Sequence, residues 1–287
     1  MPDTSPAAVC AAPNPATAPN TIAFIGGGNM ASALIGGLIA QGLAPEQIEV
    51  VEPFEAARDA LQAQFGIAAQ ALPGPQLRSA DLVIWAVKPQ VFREAALQTR
   101  PLTSAALHLS VAAGIRSSSI AQWLGSERVV RAMPNTPALI GRGISGLFAR
   151  QAVDSAERQR IEHVMAPTGE TLWVEQEHDL DAVTALSGSG PAYVFYLLEA
   201  MTRAGVGMGL SQAQAHRLAV ATVGGAAELA RRSDDPPEVL RQRVTSKGGT
   251  THAAIEALER AGVAGHFVHA IEAAQHRARE LGDEFGT

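Results

Sequence analysis

The chain has 287 residues, 47% hydrophobic and 17% charged, which is enough apolar material for one or two packed domains. A net charge of -6 with no basic block argues against a nucleic-acid partner, and apolar runs such as 82–87 fall well short of the ~20 residues a membrane span requires. The single cysteine, Cys10, excludes an intrachain disulfide and a Cys-rich metal site, which fits a reducing cytoplasm.

Residues 1–20 are rich in Ala, Pro, Thr and Asn and have neither the charged nor the apolar region of a signal peptide, so they read as a disordered extension. From residue 21 short apolar runs alternate with helical periodicity. Strands are predicted at 21–25, 48–51, 82–87, 107–111, 128–133, 144–148 and 171–174. Met30, Leu34, Ile35, Leu38 and Ile39 recur at helical spacing up to Gly42, a second helix covers 56–65, and a third covers 154–165 with Asp154 and Glu157 at cap-like spacing. This alternation is the signature of a parallel sheet covered by helices on both faces. After about residue 178 the strand signal disappears. Helices are predicted at 180–186, 191–205, 211–231, 237–244, 250–261 and 264–281, several so rich in small apolar residues that a single layer would expose them. The expected architecture is α/β, a Rossmann-type doubly wound sheet over 21–178 followed by an all-helical dimerisation domain over 179–287.

The strongest local signal is the run of Gly26, Gly27, Gly28, Asn29, Met30 and Ala31 between a strand and a helix. Gly26 suits a tight turn, Gly28 lets backbone N–H groups approach a pyrophosphate, Ala31 permits close packing, and the helix N-terminus adds positive potential. A plain connecting turn is the competing reading. Glu52 ends the second strand, where dinucleotide folds place a carboxylate on the adenosine ribose, which favours NAD over NADP. A solvated surface carboxylate is the competing reading, and Arg58 nearby is a candidate contact for a 2'-phosphate. Ala86, Val87, Lys88 and Pro89 close a buried strand, making Lys88 either a cofactor contact or an exposed turn residue. Pro134 and Asn135 lie in a proline-bracketed loop, either lining the nicotinamide site or acting as a stiff connector. Ser187, Gly188, Ser189 and Gly190 lead into a helix at Pro191, and Gly249, Thr250 and Thr251 open another. Both helix starts offer orphan N–H groups to a carboxylate, or serve only as caps. The eight histidines lack metal-ligand spacing, so no metal is expected.

Taken together, the segments FIGGGNMASALIGGL, AVKP, SVAAG, RAMPNTPA, LSGSGPAYVF and SKGGTTHAAI resemble the pyrroline-5-carboxylate reductase family over about 21–281. The resemblance implies NADPH or NADH as cofactor, held by Gly26 to Ala31, Glu52, Ala86 to Pro89, Ala113, Pro134 and Asn135. It implies that 1-pyrroline-5-carboxylate docks against the helical domain and is reduced to proline. Ser187 to Gly190 and the N–H groups of Gly249, Thr250 and Thr251 would hold its carboxylate, the Thr251 hydroxyl would reach the ring nitrogen, and Glu177 would lie near the substrate. It also implies an intertwined homodimer, often built into a larger ring, working in the cytoplasm. Two positions depart from the family pattern: Lys247 replaces a common Pro, and Glu52 replaces a small hydroxyl residue in many members. A β-hydroxyacid dehydrogenase would carry a catalytic Lys on the first long helix after the sheet, and 191–205 has none. A non-catalytic dinucleotide sensor would not need the two Gly-rich helix starts.

Overall fold

The computed structural model describes residues 21–285. Seven strands form one sheet: β1 (Ile22–Ile25), β2 (Ile48–Val51), β3 (Leu82–Trp85), β4 (Leu107–Ser110), β5 (Val129–Met133), β6 (Gly143–Ala149) and β7 (Gly169–Trp173), in the order β2-β1-β3-β4-β5-β6-β7. The first five are parallel, β6 runs antiparallel to β5, and β7 is parallel to β6. The reversal departs from the all-parallel expectation, and its cause is chain length. Only residues 134–142 join β5 to β6, too few for the crossover that a parallel pair needs, whereas β6 and β7 are bridged by α5 (Ser155–Met165).

Side chains of β1 alternate between two cores, as the period of a strand dictates. Ile22 and Phe24 pack with Leu34 and Ile35 of α1 (Asn29–Ala40), Leu61 of α2 (Glu55–Phe65) and Ile161 and Val164 of α5. Ala23 and Ile25 face the other way, onto Trp85, Phe92 of α3 (Pro89–Thr99) and Ile120 and Trp123 of α4 (Ser117–Leu124). The sheet is therefore doubly wound, as predicted. Helices α3 and α4 went unpredicted. The first buries only Phe92, Ala96 and Thr99, and the second hides its apolar face behind three serines. The predicted cap of α5 forms as a reciprocal pair: the Glu157 N–H donates to Asp154 Oδ1 at 2.8 Å and the Asp154 N–H to Glu157 Oε2 at 3.0 Å.

The described chain divides into two compact units, one of residues up to Leu180 with 280–285, the other Asp181–Arg279. The helical part comprises α6 (Asp179–Val183), a π-turn (Thr184–Gly188), α7 (Gly190–Gly207), α8 (Gln212–Arg231), α9 (Pro237–Arg243), α10 (Thr250–Arg260) and α11 (Val263–Glu284). Close packing of α7 on α8 rests on small residues: a Cβ at Gly205 would fall 2.7 Å from that of Ala215. Among the described residues no helix is long and apolar enough to cross a membrane, and no cluster of His, Cys, Asp or Glu is placed to hold a metal. The predicted extension over 1–20 lies outside the described residues.

Candidate active site

The chain leaves β1 outward to β2 and returns on the far side of β1 to β3, so the sheet's topological switch point falls between β1 and β3. Open α/β sheets bind ligands at the carboxyl ends of strands flanking that point. Gly26 sits there, at φ +98°. A Cβ on it would lie 2.6 Å from the Ala86 carbonyl oxygen, and its N–H donates to the Val51 carbonyl at 2.8 Å. Only glycine fits, because both the backbone angle and the approach of a neighbouring strand exclude a side chain. Gly28 differs. A Cβ there would meet nothing within 4 Å, so the chain leaves open space over the turn.

Helix α1 follows at Asn29, with Ala31 fully buried against the sheet. Its cap residue Gly28 offers no side chain and no acidic residue lies in its first turn, so no capping side chain takes the first N–H groups. An uncapped helix start beside an open glycine fits a pyrophosphate, which brings acceptors and negative charge. Ala86, Val87 and Ala113 line the neighbouring strand ends half-buried, while Lys88 is exposed as the cap residue of α3 and Pro89 is its first helical residue. Pro134 is buried, and Asn135 Oδ1 accepts the Ile144 N–H at 3.1 Å, so Asn135 braces its loop against β6.

Glu177 has a task the sequence reading did not foresee. Its Oε1 accepts from Arg131 Nη1 at 2.7 Å and from the Ser117 N–H at 2.5 Å, and its Oε2 accepts from the Ser117 hydroxyl at 2.7 Å. Burial pushes its pKa upward, but the Arg131 charge and the Ser117 hydrogen bonds outweigh burial and hold it below the usual value. Both carboxylate oxygens of Glu177 thus serve Ser117 and Arg131. The missed signal was Arg131 itself, a cation in an apolar strand that demands a carboxylate partner.

In the helical unit, Ser187 and Gly188 end the π-turn and Ser189 and Gly190 start α7. The Ser189 N–H closes the turn on the Thr184 carbonyl at 2.8 Å, and the Tyr193 hydroxyl donates to the Ala185 carbonyl at 3.0 Å. Such π-turns often mark functional sites. At α10 the Gly249 N–H donates to the Ser246 carbonyl at 3.0 Å, so Gly249 shapes the turn, and the outward donors there are those of Thr250 and Thr251, both exposed. Neither α7 nor α10 has a side-chain cap or an acid in its first turn.

The comparisons with known proteins agree with this layout. A family model described as NADP oxidoreductase, coenzyme F420-dependent, matches residues 21–114, and one described as pyrroline-5-carboxylate reductase dimerisation matches 177–281. The pyrroline-5-carboxylate reductase of Pseudomonas aeruginosa is 43% identical over 92% of this chain and 98% of its own, and that of Pisum sativum is 37% identical over 91% and 96%. Among solved structures, the enzyme from Coxiella burnetii superposes with a TM-score of 0.85 at 38% identity, covering 91% of this chain and 98% of that one. The Plasmodium falciparum enzyme, solved with NADP bound, gives 0.81 at 28%, covering 91% and 98%.

A doubly wound sheet with a Gly-rich turn at its switch point, joined to a helical unit, defines a dinucleotide-dependent oxidoreductase that uses NAD(P)H. Within that class, the chain belongs to the pyrroline-5-carboxylate reductase family. It therefore acts on a carbon–nitrogen bond, and the β-hydroxyacid dehydrogenase reading falls away.

Proposed function

We propose that the chain reduces 1-pyrroline-5-carboxylate to proline with the dinucleotide held by Gly26 to Ala31, Ala86 to Pro89, Ala113, Pro134 and Asn135, and the substrate held by residues of the helical unit. The carrying observation is that the helix starts at Gly190 and Thr250 have neither a side-chain cap nor an acid in the first turn, so that the positive end of each helix suits a carboxylate. The nicotinamide, when bound, supplies the hydride that the imine carbon takes up. The chain's own part is positioning. Ser187 to Gly190 and the Thr250 and Thr251 N–H groups fix the carboxylate, while the Thr251 hydroxyl holds the ring nitrogen, which takes a proton from solvent as the C=N π pair becomes an N–H bond. Glu177 acts through Ser117 and Arg131, fixing the segment that precedes α6. No nucleophile is required, so catalysis rests on orientation and electrostatics.

The match to a dimerisation model and the exposed apolar faces of α7 and α8 support a homodimer. Steady-state kinetics of Thr251→Ala tests the substrate site. Loss of one positioned contact lowers kcat/KM for the cyclic imine about 10- to 1000-fold, with dinucleotide affinity and melting temperature unchanged. Unchanged kcat/KM with a lowered melting temperature would make Thr251 a helix-start residue only.

A further inference from the structure

The middle glycine of the turn points to a property of this chain that its family membership leaves open. Glu52 follows β2 directly and is 6% exposed. Its Oε2 accepts the Gly27 N–H at 2.7 Å and its Oε1 accepts the Phe54 N–H at 2.9 Å, so both ends of the carboxylate are fixed by backbone. Gly27 makes room for it: a Cβ there would sit 2.8 Å from Leu61 Cδ1 and 3.3 Å from both Cβ and Cγ of Glu52. The carboxylate is therefore a built part of the Gly-rich turn, not a solvated side chain.

Its surroundings do not neutralise a second anion. Residues 52–59 contain Glu52, Glu55 and Asp59 against one cation, Arg58. Arg58 Nη1 donates to the Glu52 carbonyl at 3.0 Å and the Pro53 carbonyl at 2.7 Å, which turns the guanidinium onto the backbone of the β2–α2 turn. A carboxylate held by two N–H groups keeps lone pairs that accept from hydroxyl donors. A ribose diol donates to them. A 2'-phosphate offers negative charge and acceptors at the same place, and meets repulsion.

We infer that Glu52 sets cofactor choice, so that this chain takes NADH in preference to NADPH. The inference rests on the reading of Gly26 to Ala31 as the dinucleotide turn. It parts company with the NADP found in the Plasmodium falciparum enzyme.

Equilibrium binding of NADH and NADPH to the full-length protein, followed by nicotinamide fluorescence in the absence of imine, decides the matter. The wild type binds NADH at least ~10-fold more tightly than NADPH, and Glu52→Ser narrows or inverts that ratio by raising NADPH affinity. Glu52→Gln, which keeps volume but loses the charge, moves the ratio in the same direction and stands in if the Ser variant melts early. Equal binding of both dinucleotides by the wild type, or tighter NADPH binding, would overturn the inference while leaving the turn's assignment intact. Failure of both to bind would remove the dinucleotide turn itself, and the inference with it.

Discussion

Arg131 on β5 and Glu177, 46 residues later, meet through a 2.7 Å hydrogen bond, with the Arg131 side chain 6% exposed and that of Glu177 22% exposed. Removing one partner of such a pair leaves an uncompensated buried charge, a loss on the order of 3 kcal/mol, whereas removing both with apolar residues costs far less. Glu177→Ala should therefore lower the urea midpoint strongly, and Arg131→Met combined with Glu177→Leu should recover part of the loss. Because the folded-state pKa of Glu177 is depressed, its contribution is present above the unfolded carboxylate value and lost as pH falls through the folded one. A double-mutant cycle with no coupling between the two positions would refute this account.

His108 gives a second pH dependence, of opposite chemical type. It is buried in β4, where its Nδ1 accepts the Trp85 indole N–H at 3.2 Å, and its Nε2 is buried without a hydrogen-bond partner. Burial, and then the charge of Arg128, lower its pKa from 6.5 to about 4, while the Thr103 backbone acts the other way. Between those values the unfolded chain binds a proton that the folded chain refuses. Stability thus falls as pH drops from about 6.5 to about 4, by on the order of 3 kcal/mol at most. His108→Gln, which still offers the indole an acceptor, should flatten the urea midpoint against pH in this range. An identical slope in both proteins would disprove the assignment.

Much of this molecule was legible before the structure, and the exceptions share a cause. The strands, the Gly-rich turn and the Asp154 cap announce themselves because each is a local pattern of period, glycine or spacing. Helix α4 did not, since its opening Ser117 and Ser119 are buried polar residues that mimic a loop. The partnership of Arg131 with Glu177, and the reason for glycine at position 27, depend on segments brought together only by folding. The antiparallel β6 was in principle readable from the short 134–142 connection. At the helix starts the sequence does not show which N–H groups the turns consume, here those of Ser189 and Gly249.

The contrast between two glycines of the proposed dinucleotide turn separates fold from ligand binding. Gly26→Ala forces a side chain into φ +98° and against the Ala86 carbonyl, so it should lower the melting temperature and weaken dinucleotide binding together. Gly28→Ala meets no neighbour within 4 Å, and Gly28 has an ordinary extended backbone at φ -74° and ψ -171°. Its melting temperature should stay near that of the wild type while affinity for NADH falls about 10-fold or more, because the added methyl would enter the space proposed for the pyrophosphate. Thermal denaturation and fluorescence titration on the two variants check both halves. Undiminished NADH affinity in Gly28→Ala would mean that the ligand lies elsewhere.

Val194, Phe195, Tyr196 and Leu197 are consecutive residues of α7 and are 41%, 59%, 72% and 50% exposed. Four successive helical positions, about 100° apart, point to nearly every side of the helix, and α8 packs against only part of that circumference. An exposed helical stretch that is apolar on every side favours burial, and here a second copy of the chain is the partner at hand. Sedimentation should show a dimer or larger assembly at micromolar concentration. Phe195→Asp and Tyr196→Asp should each weaken it, with the sheet unit still folded by near-ultraviolet absorption of Trp85 and Trp123 in the core. Full activity in a wild-type monomer at that concentration would defeat the dimer outright.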